Sequence, residues 1–434
     1  TSSPPNPKTS LLSEDPVQSN PFNLTKVPLN INMRCLQQNI EQRATVVLIG
    51  GGHANCQVLI DLHQSLPKSL RSAVDLILIN DGSEAYYSGM LPGAICEYYS
   101  PDQITIYLKP LAHYSRANFI DSKVCQIKDR KVFLQNGEVI PYNFLSINIG
   151  STNKEVPGVQ EFALSTRPLK VFFKKILEMQ QSLLEKNQNP DVVIVGGGAA
   201  GVELCFTLRE RLLKTFDSVS VKLLQTGDQI LAGSNHNLRN LVLQELQARN
   251  IEVIDHARAL EVTENSVVLE DGRVVSGNFI VWATGAKSIQ IDSDLAKCEQ
   301  GYFLVNECLQ SVSDPAVFAA GDCITIENMQ KGFPPKAGVY AVREGPLVSN
   351  NLKKSIQEFF TQKSQKLQVY QPQTDFLTLF NLGDGRAIAS KWGKATQGRC
   401  MMWLKDRIDR KFVKKFHPTT LFSKKELQKY TEGY

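Results

Sequence analysis

Glycines at two places in this chain are spaced so that bare backbone can meet a pyrophosphate. The first group is Gly50-Gly51-Gly52-His53-Ala54-Asn55, after Val46-Val47-Leu48-Ile49. The second is Gly196-Gly197-Gly198-Ala199-Ala200-Gly201, after Val192-Val193-Ile194-Val195. A β-branched run, clustered small residues and a helical pattern together read as strand, tight turn and helix. Such a turn lets the backbone approach phosphates, and the helix N-terminus supplies N–H groups and the positive end of a dipole. Gly196, Gly198 and Gly201 keep the full Gly-x-Gly-x-x-Gly spacing, whereas the first group has Asn55 in the third glycine's place. Helix and strand must there make room for a side chain. Two such turns imply two nucleotides in one protein, the arrangement in which a flavin and a nicotinamide exchange a hydride. The plain alternative is a pair of glycine turns that bind nothing.

Both turns need a fold to hold them. The 434 residues, 42% apolar and 21% charged, suffice for two or three domains with their own cores. From Ala44 onward strand and helix patterns alternate, which predicts an α/β fold with parallel sheets. Val74–Asn80 reads as a strand, and Lys131–Leu134 and Val139–Ile140 flank Asn136-Gly137, a hairpin signal. Phe144-Leu145-Ser146-Ile147-Asn148 then runs to Gly150. The passage recurs as Val267–Leu269, Asp271-Gly272, Val274-Val275 and Phe279-Ile280-Val281-Trp282, ending at Gly285. This repetition predicts an internal duplication: two Rossmann-like units, the second inserted in the first. A helix over Leu169–Glu185, with Val171, Phe172, Ile176, Met179, Leu183 and Leu184 as its apolar positions, leads into the insert. The expected division is a first unit over 43–165 and 289–350, an inserted unit over 166–288, and a C-terminal segment over 351–434.

Residues 1–42, rich in Ser, Pro, Asn and Thr, are expected to be a disordered leader. Its few acidic residues fit the remnant of an organelle-targeting segment, chloroplast or mitochondrial, without the usual Arg-rich amphipathic character. No apolar run approaches the ~20 residues that span a bilayer, so any membrane contact is expected to be peripheral. The nine cysteines are scattered, with no Cys-x-x-Cys pair and no zinc-like Cys/His cluster. That usage predicts a reducing compartment, buried thiols and no metal site.

Four further stretches carry a resemblance. Pro315-Ala316-Val317-Phe318-Ala319-Ala320-Gly321-Asp322 is a strand ending in Gly-Asp. The others are Tyr87-Ser88-Gly89-Met90-Leu91-Pro92-Gly93, the run from Lys336-Ala337-Gly338 to Pro346, and Trp403-Leu404-Lys405-Asp406-Arg407-Ile408-Asp409-Arg410. With the two turns, they resemble the flavoproteins with two dinucleotide-binding domains, the pyridine nucleotide-disulfide oxidoreductase superfamily. Within it the chain is similar to the type II NADH dehydrogenase-like branch related to the flavoprotein part of selenide, water dikinase fusions. The resemblance covers about residues 44–416, and no kinase half is present.

The resemblance implies FAD in the first unit. It would be held by Gly50, Gly51, Gly52, His53, Ala54 and Asn55, with Asn80 and Asp81 at the end of the second strand. Leu91, Pro92, Val124, Gly150 and Gly321 would line it, and the Asp322 carboxylate would reach the ribityl chain. NADH or NADPH would take Gly196, Gly197, Gly198, Ala199, Ala200, Gly201, Gln225 and Gly285. Glu203 would lie beside the nicotinamide, against the alternative that it complements a helix dipole. Lys336, Ala337 and Gly338 open a helical pattern after Pro334-Pro335, and their N–H groups could stabilise a reduced, anionic flavin ring. The competing role is simple capping by a Pro-rich lead-in.

Departures from the family pattern set the open questions. An acidic residue usually ends each unit's second strand to hold ribose hydroxyls; here stand Asn80, with Asp81 next, and Gln225. A neutral Gln225 does not repel a 2′-phosphate, yet no Arg lies in Thr226–Leu231 to attract one, so NADH and NADPH both remain. The quinone-site signature Ala-Gln-x-Ala-x-Gln is altered, with Gly338 and Arg343-Glu344 in its neighbourhood. Relay cysteine pairs are absent, which favours direct reduction of a small carrier. The reading is an FAD-dependent NAD(P)H dehydrogenase that passes electrons to a quinone-like acceptor. A sulfide:quinone-type enzyme using Cys298, Cys308 and Cys323, and a non-catalytic flavin-binding interaction protein, are its alternatives.

The stretch from Cys400 to Tyr434 holds nine Lys and Arg against four Asp and Glu. Met401, Leu404, Ile408, Phe412 and Phe416 recur at helical spacing, with Lys405, Arg407, Lys411, Lys414 and Lys415 mostly elsewhere. A basic helix over 400–416 carrying Trp403 could lie in an anionic membrane surface or dock on the flavin domain. No fold signature for nucleic acid accompanies it.

Overall fold

The structure, a computed structural model, describes residues 43–329, 333–373 and 375–432. The expected leader lies outside the described residues. The first sheet is built around β1 (Ala44–Ile49), whose Val46, Val47, Leu48 and Ile49 are all buried, as a strand covered on both faces requires. α1 (His53–Ser65) follows the first glycine turn. β2 (Val74–Asn80) pairs parallel with β1, Ile49 against Ile79. After α2 (Leu91–Ile95) come β3 (Asn118–Asp121), the three-stranded antiparallel meander over 124–141, and β4 (Phe144–Ile147).

The chain then crosses to a second lobe through Ser151–Asn153, which pairs antiparallel with Ala286–Ser288 on the return. This lobe comprises β5 (Leu164–Ser165), α3 (Leu169–Glu185), β6 (Asp191–Val195), α4 (Ala199–Leu212), β7 (Ser220–Leu224), α5 (His236–Ala248), β8 (Glu252–Ile254) and β9 (Phe279–Trp282). A meander over 259–276 precedes β9. β10 (Val317–Ala319) returns to the first sheet beside β4. The sheet orders are β10-β4-β1-β2-β3 and β5-β9-β6-β7-β8, all parallel, so the two lobes share one plan. α3 buries Phe172, Phe173, Ile176 and Leu183 but leaves Val171 and Leu184 exposed.

α6 (Gly338–Thr361) packs along α1, and a three-stranded hairpin sheet follows: β11 (Thr378–Asn381), β12 (Ala387–Lys391) and β13 (Lys394–Gly398). It leads into α7 (Arg399–Lys414). Phe380, Leu382, Ile388 and Val413 join Phe206 and Leu208 of α4 and Met90 and Ile95 of the first lobe in one apolar cluster. Phe416 packs into the first lobe's core. The C-terminal segment is therefore a clamp across both lobes.

The expected apolar face holds at Phe412 and Phe416, which pack on the core, and is corrected earlier in α7. Its buried positions are Met402, Lys405, Asp409 and Val413, while Trp403 and Ile408 are exposed. Lys405 is not a surface cation. It pairs with Asp409 at 2.9 Å and donates to the Gly89 carbonyl at 2.7 Å, while the Tyr87 hydroxyl donates to Asp409 at 3.2 Å. The two charges are tolerated inside because each has the other as partner and the Gly89 carbonyl and Tyr87 hydroxyl complete the set.

Candidate functional site

Gly50 and Gly196 open the two turns with φ of +88° and +128°, backbone that side chains rarely tolerate. Neither α1 nor α4 has an acidic residue in its first turn, and α4 has no side-chain cap, whereas Asn148 Oδ1 accepts from the Ala54 and Asn55 amides of α1. At the second turn Gly198, Ala199 and Ala200 are exposed, and a Cβ on Gly198 would meet nothing within 4 Å. A Cβ on Gly201 would run into the Gly196 carbonyl, so glycine is obligatory there. Open backbone, no cap and free space in front of the dipole are what a pyrophosphate needs. The donor set fits a dinucleotide.

Asn55 makes the first turn work differently. Its buried side chain donates to the Ile49 and Gly50 carbonyls at 3.0 and 2.9 Å and accepts from the Ser146 hydroxyl at 2.7 Å. The side chain fills the helix–strand gap and satisfies the carbonyls it opens. Asn80 Oδ1 accepts from the Gly51 amide at 2.7 Å, tying the end of β2 to the turn, while Asp81 is exposed. Asn148, which spacing did not single out, accepts from Ala54 and donates to the Ala320 carbonyl, so it fastens turn, β4 and β10 together. It follows the hairpin strand directly, and that position was its only signal. Gly150 and Gly285, each past a strand end, also have open space where a Cβ would be. Leu91, Pro92 and Val124 are buried, Leu91 within the cluster that meets the second lobe.

The two groups expected to act, Glu203 and Lys336, are held by different partners, and His53 and Tyr87 gather at the head of α6. The His53 ring lies 5.2 Å from that of Tyr87 and 5.6 Å from Phe412, and a Cβ on Gly338 would meet Ser88 and His53. Burial pulls His53 down to about 4, so it is a neutral imidazole. From the second lobe comes Glu203, whose Oε1 accepts from the Asn381 amide of β11 at 2.8 Å. It stands in the second turn of α4, not the first, which weakens the helix-dipole reading. Burial pushes its carboxyl up to about 7 against the pull of Lys405 and the Asn381 N–H.

Asp322 accepts from Ser151 at 3.0 Å and pairs with Arg167 at 3.0 Å, an arginine that spacing did not reveal. Lys336 donates to the Ile324 carbonyl and lies 4.2 Å over the Tyr302 ring, and burial lowers its pKa. The helix starts one residue later than Ala337, which is its N-cap. Glu344 is fully buried. Its Oε2 accepts from Gly321 at 2.6 Å while Oε1 has no partner among the described residues. Gln225, buried at the end of β7, has its Cβ 2.6 Å from where a Cβ on Gly197 would be and donates to Asp255 at 3.3 Å. Cys323 is buried with its thiol pushed up to about 12, and Cys308 is also raised.

Twin parallel lobes, one inserted in the other, with a glycine turn at the head of each, define an oxidoreductase of the two-dinucleotide-domain class. The sequence pattern of pyridine nucleotide-disulphide oxidoreductase matches residues 44–345, and the chain belongs to that family. It is an oxidoreductase with FAD and NAD(P)H as cofactors. It is 28% identical over 291 residues to the NADH dehydrogenase-like protein YutJ of Bacillus subtilis, covering 65% of this chain and 77% of that one. It is 27% identical to the type II NADH:quinone oxidoreductase of Haemophilus influenzae, over 59% of this chain and 64% of that enzyme. The sulfide:quinone oxidoreductase of Aquifex aeolicus has the same fold, with a TM-score of 0.72 at 19% identity over 90% of this chain and 95% of that one.

Proposed function

We propose that this chain is an NAD(P)H dehydrogenase that reduces a quinone-like acceptor, with the flavin at the first glycine turn and the nicotinamide dinucleotide at the second. The observation that carries this is a glycine turn leading into a helix on each of two sibling sheets, the second uncapped with open space before it, with His53 lying between Tyr87 and Gly338 at the start of α6 and Glu203 held by Asn381. When bound, the nicotinamide supplies a hydride, and the flavin accepts it and hands electrons on. The chain's own residues position and tune. The amides of Ala199 and Ala200 would hold the pyrophosphate, and those at the head of α6 would face the flavin pyrimidine. Asn381 fixes the Glu203 carboxyl, which can keep or release a proton near neutral pH. Arg167 and Ser151 hold the Asp322 carboxylate for a ribityl hydroxyl. Relatives named for quinones, including the demethylphylloquinone reductase of Synechocystis at 24% identity, support the acceptor class.

Thiol chemistry has less support, because a reactive cysteine needs a depressed pKa and Cys323 and Cys308 are raised. Membrane-surface contact is part of the proposal. Trp392 and Trp403 are exposed, each beside a cation, Lys391 at 4.2 Å and Arg407 at 5.5 Å. The test is the visible spectrum of the FAD-loaded protein without oxygen. NADH or NADPH should bleach the flavin band, and a short-chain quinone should restore it. A yellow protein that neither nucleotide bleaches, or a bleached one that quinone cannot reoxidise, overturns the proposal.

A further inference from the structure

Gln225 leaves the second turn without the carboxylate that would face an adenosine ribose, but the neighbouring strand brings one to the same place. The Gln225 amide donates to the Ile254 carbonyl at 3.0 Å, Ala257 donates to the Gln225 carbonyl at 2.8 Å, and His256 donates to Gly227 at 2.9 Å. These bonds pin the segment after β8 to the segment after β7. Between them the Asp255 carboxylate, exposed, accepts from the Gln225 side chain at 3.3 Å. Gln225 in turn sits hard against Gly197, and Leu231 donates to the Gly197 carbonyl at 2.8 Å. The carboxylate is thus presented through Gln225 beside the glycine turn.

The cations nearby are committed elsewhere. Arg273 forms a salt bridge with Asp271 at 2.7 Å and donates to the Asp255 and His256 carbonyls, and Arg258 faces Glu270 at 3.4 Å. Asp228, exposed on the β7 side, adds a second negative charge.

We infer that Asp255 is the specificity-determining residue of the second turn, and that it selects the dinucleotide with a free ribose 2′-hydroxyl, NADH, over the 2′-phosphorylated NADPH. A 2′-phosphate placed at Gln225 would bring about two negative charges against this carboxylate, where the neighbouring Arg273 is already paired with Asp271 and bonded to backbone carbonyls, whereas ribose hydroxyls could donate to it. The inference rests on the nucleotide assignment of the second turn made above.

The test is calorimetric binding of ADP-ribose and 2′-phospho-ADP-ribose to the FAD-loaded protein, which needs no turnover. ADP-ribose should bind at least tenfold more tightly, and Asp255→Asn, nearly the same shape, should narrow that gap by about tenfold. The NADH to NADPH ratio of kcat/KM should narrow in parallel. Equal or tighter binding of the 2′-phosphate by the wild type, or an unchanged gap in D255N, overturns the inference. If neither ligand binds the folded, yellow protein, the nucleotide assignment itself fails and takes the inference with it.

Discussion

At the third position of its glycine motif each turn answers the same steric demand with a different residue. Gly201 has no room for a methyl group, since the Gly196 carbonyl occupies the place, whereas Asn55 buries an amide that bonds the carbonyls around it. Gly201→Ala should therefore cost about 1–3 kcal/mol by overpacking and move the second turn. NADH bleaching should be lost while the flavin band stays, because the first turn lies in the other lobe; an alanine variant bleached as fast as the wild type would contradict this. Glu344 makes a pH-dependent prediction. Burial raises its carboxyl from 4.5 to about 7, so between those values the folded protein holds a proton that the unfolded chain has released. Its contribution to stability falls as pH rises through that window. Glu344→Gln should match the wild type near pH 4 and be more stable at pH 8, by about 3 kcal/mol, read from urea midpoints across pH. A gap independent of pH would show that Glu344 ionises normally. The glycine motifs were legible because the chemistry dictates residue types at fixed spacing. Asn148, Arg167 and Glu344 were not, since each acts through partners about 90 or more, 155 and 23 positions away.

α7 shows where periodicity misleads. Met401, Leu404 and Ile408 made an apolar stripe at the right spacing, yet the helix turns Lys405 and Asp409 inward and leaves Ile408 half in water. Spacing counts apolar faces. It cannot know that a carbonyl from Gly89 and a hydroxyl from Tyr87 wait opposite to complete a buried ion pair. The elements with local causes were read well: α3 falls on Leu169–Glu185 and β2 on Val74–Asn80, as expected from pattern. The pair itself is testable as an element-scale latch. Removing one partner strands a buried charge, so Asp409→Leu or Lys405→Met should each cost about 3–5 kcal/mol, whereas the double variant K405M/D409L should recover most of it. Urea unfolding gives the energies, and trypsin sensitivity of the C-terminal segment reports undocking. Additive losses in the double variant would mean that the two residues act independently.

Across the whole molecule, charge and function separate by region. The stretch from Cys400 onward carries a surplus equal to the chain's entire +5, so the remaining residues balance. That stretch begins in the clamp that ties the second lobe to the first, and no helix among the described residues is long and apolar enough to cross a membrane. An acceptor dissolved in a bilayer would have to be met from the surface, and a basic face with exposed Trp403 and Trp392 has the chemistry of an anionic interface. The same clamp supplies Asn381 to Glu203 and Asp409 to Tyr87, so a surface bound by α7 would sit close to those groups. Full-length protein should co-sediment with vesicles containing phosphatidylglycerol and not with purely zwitterionic ones. Binding should weaken as salt rises, because exposed charges are screened within about 10 Å at 0.1 M ionic strength. Trp403→Ala, at an exposed site outside both cores, should weaken binding by about thirtyfold without moving the urea midpoint, since burying an indole contributes about 2 kcal/mol to interfacial affinity. No binding to either vesicle type would mean that α7 serves only to dock the lobes and shows its charges to water, and equal binding to both would mean that its charges do not carry the contact.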